Sequence, residues 1–475
     1  MTLSKQSGSV AKLPIPVEKQ RSYSEIVEWL DKNWTAVSDA LSLQAAKKLD
    51  KALGSITTKL PLISVTGTNG KSLTVHFVSQ LLKSENITVG TLYSPHILTY
   101  NERFNYDGET ISNKKFTDLG NELLNLIEAE GLSINTQEVL LLMGLQFFYK
   151  NNAQVAVLEV DQNALATVST LCSSLIIAIT RITSDQDSSD ATPIAHIRPF
   201  LELVKLHAHV VSADQSKANL QAMADIVQQK GGTWDMPIRK LAPLEYPFEQ
   251  LHGRCAALAE RIARIYINRI TNEKELIVTN NSLLSKQKGR RGRPTLEAKR
   301  QSELNPKKTL DQFWRDNTTT LAGRFQILDK EKPSILLDTA NNLDAFKNLL
   351  LGIRLLHYQR PLKGLTLIIG CDNPQLNVDE LLKLLRYFFK KTSGSVIFCP
   401  ATSSLKDKAS KSWDPEEIME STKMMVKFKA KASKSFKEAF RMACKTTDER
   451  NGLVVITGSS AIISEYWLAK GVKKL

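Results

Sequence analysis

A lysine and a serine close a glycine-rich stretch from Ile63 to Thr74, which reads Ile-Ser-Val-Thr-Gly-Thr-Asn-Gly-Lys-Ser-Leu-Thr. An ammonium, a hydroxyl and closely spaced glycines are suited to holding phosphate. Gly67 and Gly70 let the backbone approach an anion closely, with Thr68 and Asn69 filling the turn between them. Lys71 can reach outer phosphates, and Ser72 can offer its hydroxyl to Mg²⁺. The general pattern has another glycine five residues before Gly70, where this chain has Val65.

These groups work only if the chain positions them. Leu62, Ile63 and Val65 read as a buried strand, and Val75 to Lys83 has the apolar spacing of a helix. A helix starting at the turn adds free amides and a positive dipole end. Ser94 follows a second apolar strand, Thr88 to Tyr93, and Glu159 ends a third, Val155 to Leu158. A carboxylate at such a strand end is placed to hold Mg²⁺.

Strands at Leu175 to Thr180 and Val210 to Ala213 alternate with helices at Phe116 to Ile127, Val139 to Tyr149 and Leu220 to Gln229. Ser22 to Leu53 is helical in pattern and is expected beside the phosphate-binding strand. After a helix at Leu258 to Ile270, a second alternating series begins at Leu321. Its strands are Ser334 to Asp338, Leu365 to Cys371, Ser395 to Cys399 and Leu453 to Gly458, with helices at Leu343 to Leu356, Val378 to Phe389 and Ser435 to Cys444. The expectation is an α/β protein, with a P-loop-type ATPase domain on a mostly parallel sheet and a smaller C-terminal Rossmann-like α/β domain. The boundaries read as a flexible leader at 1–20, a central domain at 21–271, a basic insertion or linker at 272–317 and a C-terminal domain at 318–475.

Thr66 to Lys71, then Tyr93-Ser94-Pro95-His96, then Asn101-Glu102-Arg103-Phe104, resemble in order and spacing the Mur ligase superfamily, and within it the folylpolyglutamate synthase/dihydrofolate synthase family. The resemblance implies an ATP-dependent, Mg²⁺-dependent ligase that adds L-glutamate to a folate or to dihydropteroate through an acyl phosphate. It implies catalytic roles for Lys71, Glu159 and Asp338. Nucleotide would be held by Gly67, Thr68, Asn69, Gly70, Lys71, Ser72, Arg324 and Asp338, and metal by Ser72, Ser94, Glu159 and Gln186. Gly323-Arg324-Phe325 matches the family's Pro-Gly-Arg segment, and Asp338-Thr339-Ala340-Asn341-Asn342 its Asp-x-Ala-His-Asn.

Several positions depart from the family. After Glu159 the family's Gly-Leu-Gly-Gly is replaced, and Asp161-Gln162-Asn163 stands here. Gln186 occupies the place of a metal-binding His, with Asp185 a partial substitute. Arg198 stands where a carbamylated Lys is implied, and a guanidinium cannot serve as a carbamate; Lys205 is a possible replacement. Cys255 replaces a nucleotide-assisting Asn, Asn341 replaces a His, and His252 reads as structural or solvated. These departures keep two alternatives open: a nucleotide- or folate-binding member without turnover, and a Mur-type ligase acting on a cell-wall precursor, which Ser72 directly after Lys71 favours.

The composition, 42% hydrophobic and 24% charged in 475 residues, is that of an ordinary globular protein. No apolar stretch approaches the 18 residues of a membrane span and no secretory signal is read, so a cytoplasmic location is expected. The five cysteines are scattered without a Cys-x-x-Cys pair, which argues against a disulfide framework or a zinc site. The formal charge of +14 is concentrated in Lys286 to Lys308, with Gly289-Arg290-Arg291-Gly292-Arg293-Pro294, and in Lys406 to Lys437. Both lie outside the motifs, and a solvated basic loop is preferred to a nucleic-acid site. The expected partners are small molecules, without membrane or nucleic acid, and the expected state is a monomer.

Overall fold

Period-two alternation of apolar residues builds a sheet with a core on each face. In β1 (Leu62–Thr66), Leu62 enters one core while Ile63 and Val65 enter the other. The computed structural model describes residues 19–35, 38–183, 193–214, 216–237, 248–274, 284, 310–316, 321–401, 412–425 and 428–475. Residues 1–18 of the expected leader, Asp185 and Gln186, most of the expected insertion and Lys406 to Lys411 lie outside them.

The first sheet adds β2 (Val89–Leu92), β3 (Phe104–Tyr106), β4 (Glu109–Thr110), β5 (Val155–Glu159), β6 (Ile176–Ile179), β7 (His209–Ser212) and β8 (Thr233–Asp235). Its order is β4-β3-β2-β5-β1-β6-β7-β8, parallel except for the β2–β3 and β3–β4 pairs. The β3–β4 hairpin, absent from the sequence expectation, turns on Asp107 and Gly108, both at positive φ, as a two-residue Asp-Gly turn requires. Strand β1 is central, and the chain leaves it toward β2 on one side and later reaches β6 on the other. The carboxyl end of β1 is therefore where a ligand is expected to gather.

One face is covered by α1 (Tyr23–Lys32), α2 (Ala40–Ala52), α4 (Asn113–Ala129) and α5 (Thr136–Lys150); the other by α3 (Lys71–Ser84) and α9 (Phe248–Lys274). Shorter helices are α6 (Leu165–Leu171), α7 (Pro193–Leu201) and α8 (Lys217–Gln229). The helical stretch Ser22 to Leu53 thus comprises two helices. Ser22 caps the first in a capping box with Glu25, and Asp39 caps the second. They pack on α4 and α5, not beside β1.

A second departure concerns the expected insertion. Residues Leu310–Asp316 form α10, and Trp314 is fully buried against Phe77 of α3, ring centroids 5.1 Å apart. Trp314 Nε1 also donates to Glu260 of α9 at 2.7 Å. The Phe313-Trp314 pair supplies what the surrounding polar sequence lacks, and so this end of the stretch belongs to the first core.

The second sheet, in the order β13-β12-β11-β14-β10-β9, comprises β9 (Gln326–Leu328), β10 (Ser334–Asp338), β11 (Leu365–Ile369), β12 (Ser395–Phe398), β13 (Lys429–Ala432) and β14 (Leu453–Thr457). Only the β9–β10 pair is antiparallel. Its cores are closed by α11 (Leu343–Gln359), α12 (Val378–Phe389), α13 (Pro415–Met425), α14 (Phe436–Thr446) and α15 (Ser460–Ala469). Strand β13 lies within the second lysine-rich patch. Lys429 and Lys431 are exposed on this edge, a placement that discourages pairing with another chain.

Candidate functional site

The two sheets meet at a cleft of about 1390 Å³, lined by Gly67 to Thr74, Ser94, Glu159, Asp161, Arg324, Asp338 and Asn341 among others. Ligand pockets commonly measure roughly 300–1,000 Å³, so the cleft has room for more than one substrate.

Its floor is the loop between β1 and α3. Gly67 (φ 123°) and Gly70 (φ 91°) take conformations that side-chain-bearing residues rarely adopt. A Cβ on Gly67 would lie 2.3 Å from Thr180 Oγ1, and one on Gly70 2.9 Å from Cys255 Sγ. The amides of Thr68 and Asn69 donate to Arg181 O at 2.7 and 3.3 Å, tying the loop to the end of β6. Gly70 is the N-cap of α3 and brings no side chain to cap it, which suits an anion at the helix start. Lys71 Nζ curls back onto Gly67 O and Thr68 O, at 3.0 and 2.9 Å. Burial pulls its pKa down, opposed by Glu159 and Asp161.

Beside the loop, hydrogen bonds join four oxygen-bearing residues. Ser72 Oγ donates to Glu159 Oε1 at 2.8 Å, and the amide of Ser94 donates to Glu159 Oε2 at 3.2 Å. Ser94 Oγ donates to Asp161 Oδ2 at 2.8 Å. Burial raises the pKa of Glu159, opposed by Lys71 and Arg324. Behind Ser94, Arg103 donates from Nε to His96 Nδ1 at 2.9 Å and from Nη1 to Ser94 Oγ at 3.3 Å. Burial and the Arg103 charge hold His96 well below its ordinary pKa, so this ring is neutral and its proton sits on Nε2. The contact between Asp161 and Ser94 was not legible in the sequence, where Asp161 registers only as a departure from glycine.

From the second sheet, Arg324 donates to Thr339 Oγ1 and, across the cleft, to Ser72 Oγ at 3.1 Å. Asp338 shapes the turn that presents it: its two carboxylate oxygens accept from the amides of Phe325 (2.8 Å) and Ala340 (2.9 Å). Burial pushes the Asp338 carboxyl up to about 6. Nearby, Asn69 Nδ2 donates to Asn342 Oδ1 (3.0 Å) and Asp344 Oδ2 (2.9 Å), and Arg181 Nε meets Asp344 Oδ1 at 3.0 Å. Sequence reading missed this clasp, because its partners are about 160 to 275 residues apart.

Other sequence candidates fall as follows. Asn341 lines the cleft and its backbone oxygen accepts from Asn373 at 2.8 Å. Cys255 packs against Gly70, and His252 is buried in the cleft wall rather than solvated, its pKa drawn down to about 4 by burial. Helix α7 turns Ala195 and His196 toward the cleft but leaves Arg198 exposed outside its lining. Lys205 lies by Cys172 and Lys47, also outside the lining. Gln186 is among the residues not described. All five cysteines are free thiols.

No family model matches the chain. Over 83 residues, 18% of this chain and 19% of the relative, it is 41% identical to the dihydrofolate synthase/folylpolyglutamate synthase of Bacillus subtilis. The fold superposes with a TM-score of 0.69 on the bifunctional folylpolyglutamate synthase/dihydrofolate synthase of Yersinia pestis complexed with AMPPNP and Mn ion, at 18% identity, covering 96% of this chain and 100% of that one. It superposes with a TM-score of 0.70 on folylpolyglutamate synthase of Mycobacterium tuberculosis complexed with ADP and AMPPCP, at 17% identity, covering 94% and 98%. The chain thus resembles folylpolyglutamate synthase/dihydrofolate synthases, in sequence over part of its length and in fold over nearly all of it. In sequence it spans less than half the length of the first curated relatives it matches: 19, 20 and 40%. The two-sheet α/β architecture is that of the family's solved structures.

The solved neighbour holding AMPPNP and Mn ion raises the question whether the donor set here fits a divalent cation. Among the described residues no three His, Cys, Asp or Glu side chains are grouped to hold a metal. The oxygens of Ser72, Glu159 and Ser94 are nevertheless hard donors, of the kind Mg²⁺ takes when it keeps waters and substrate phosphates as its other ligands. They fit such an ion.

Proposed function

We propose that the chain is an ATP-dependent ligase that joins L-glutamate to the carboxylate of a folate or of dihydropteroate. The observation that carries the reading is the meeting of three parts in one cleft: the Gly67–Gly70 cradle, the Ser72–Glu159–Ser94 oxygens and Arg324 from the opposite sheet. Activation of a carboxylate by ATP brings two anions together, and this arrangement supplies fixed donors and cations against their repulsion.

In this reading the cradle amides and Lys71 hold the polyphosphate, and Lys71 exchanges its loop carbonyls for phosphate oxygens. Ser72, Ser94 and Glu159 would hold Mg²⁺, which when bound offsets phosphate charge. Arg324 donates to the transferred phosphoryl group. The substrate carboxylate takes that group to give an acyl phosphate and ADP; the amine of glutamate then forms the amide and phosphate leaves. Asp338 keeps Arg324 in place through the Phe325 and Ala340 amides and borders the region where glutamate enters. We read 21–271 and 318–475 as the two catalytic domains, acting as a cytoplasmic monomer on small molecules; no described helix is long and apolar enough to cross a membrane.

The test is ADP release by purified protein with Mg-ATP, glutamate and either dihydropteroate or tetrahydrofolate, with Lys71→Ala as control. Release that depends on one substrate and vanishes in the variant supports the ligase and names its acceptor. ATP binding without turnover favours the second reading, a nucleotide-binding member, toward which the exposed position of Arg198 outside the cleft points.

A further inference from the structure

We propose that Asp161 is the second carboxylate of the divalent-cation site in this chain, a role that rests on the ligase reading above. Asp161 stands one residue beyond Val160, which follows β5, and lines the same cleft as Glu159. Its Oδ1 accepts from the amide of Ala164 at 2.9 Å, at the start of α6, which holds the carboxylate in one orientation. Its Oδ2 is directed to Ser94 Oγ at 2.8 Å. The amide of Ser94 in turn donates to Glu159, and Ser72 donates to Glu159, so both carboxylates belong to one hydrogen-bonded series that starts at Ser72 beside the cradle and ends at Asp161.

Both carboxylates bond to Ser94, Glu159 through its amide and Asp161 through its hydroxyl, so a cation beside Ser94 would meet both. Three fixed cations lie nearby, Lys71, Arg103 and Arg324, and none forms an ion pair with either carboxylate. Lys71 Nζ is bound to two loop carbonyls, and Arg103 spends Nε on His96 and Nη1 on Ser94 Oγ. Both feel the charge of Glu159 and Asp161 without forming a direct ion pair with Asp161. Mg²⁺ characteristically takes one or two carboxylates together with substrate phosphates. Glu159 and Asp161, bridged by Ser94 and adjoining the cradle, match that requirement. On the opposite wall, α7 leaves Arg198 outside the cleft, and the Asp338 carboxylate is taken up by the amides of Phe325 and Ala340. The strand side offers Glu159, Asp161 and two serine hydroxyls together.

The experiment measures Mn²⁺ binding to the full chain by electron paramagnetic resonance of the free ion, with AMPPNP present. Nucleotide affinity is measured separately in EDTA. Asp161→Asn should weaken Mn²⁺ binding roughly tenfold or more, with nucleotide affinity in EDTA unchanged, and Asp161→Glu should recover part of the loss. Should Asn disturb the loop, as a thermal melt would reveal, Asp161→Ser keeps a hydroxyl for the Ala164 amide and should show the same loss. Mn²⁺ affinity within twofold of wild type in the folded variant overturns the role of Asp161 and leaves the ligase reading intact. Failure of the wild-type chain itself to bind Mn²⁺ with nucleotide overturns both.

Discussion

Asn69, in the glycine turn between β1 and α3, donates to Asp344 at the start of α11 at 2.9 Å, and the other oxygen of that carboxylate holds Arg181 at 3.0 Å. One buried side chain of the second sheet thus grips both the cradle and the strand end to which the cradle is tied. The Arg181 side chain is 45% exposed, so the ion pair adds little to stability, of the order of 0.2–1 kcal/mol. Its consequence is positional. Asp344→Ala is expected to lower turnover several-fold, in steady-state kinetics, with little change in melting temperature. Unchanged turnover with a lowered melting temperature would show the clasp to be structural only.

Arg324 is the guanidinium that crosses the cleft to Ser72. Replacing it with alanine should reduce kcat by roughly 10²–10³, the usual effect of removing one donor to developing charge. Lysine should restore little, since a single ammonium cannot serve Thr339 and Ser72 with the fork geometry of arginine. Full activity of Arg324→Lys would show that charge alone suffices.

At Gly67 the backbone leaves no room for change. A Cβ would meet Thr180 Oγ1 at 2.3 Å while φ is 123°. Gly67→Ala is expected to abolish measurable ATP binding in calorimetry, and to destabilise the fold by about 1–3 kcal/mol from backbone strain. Retained nucleotide affinity would mean that the cradle is not the nucleotide site.

Trp314 tests whether α10 belongs to the first core. It is fully buried on Phe77 and bonded to Glu260. Trp314→Ala should cost about 3–5 kcal/mol, as large-to-small core substitutions do, and Trp314→Phe distinctly less. Denaturant unfolding measures both. A loss below about 1 kcal/mol would place this helix outside the core.

The Asp338 carboxyl provides a pH signature. Its folded pKa, about 6, lies above the unfolded value near 3.9, so between those values the folded state binds more protons. Its contribution to stability is therefore full below about pH 4 and falls as pH rises through 6, by roughly 2–3 kcal/mol in all. Wild type should lose stability relative to Asp338→Asn over that window when melting is followed from pH 4 to 7. Parallel curves would show that the carboxylate is not raised by burial.

Much of the fold was written in local pattern. Strand β10 and helix α12 lie where alternation and helical spacing place them, and the Thr66–Lys71 turn sits between a strand and a helix as its composition demands. Those signals are short-range: a run of β-branched residues, a capping serine or a pair of glycines is complete within a few positions. The β3–β4 hairpin was not read from the sequence: Asp107-Gly108 is a turn signal, but its strands are too short to carry an alternation of their own.

By itself the sequence determined the glycine turn between β1 and α3, the alternating α/β architecture and the residues at the strand ends, because each depends on neighbours in the chain. Only the tertiary structure decided that Trp314 joins the first core, that Asp161 turns to Ser94, that Arg324 meets Ser72 and that Asp344 grips Asn69 and Arg181. Apart from Trp314 beside Glu260, these contacts join residues 67 to 275 positions apart. Such distances are closed by the burial of two separate sheets and their helices, and no local pattern encodes which side chains that burial will bring face to face.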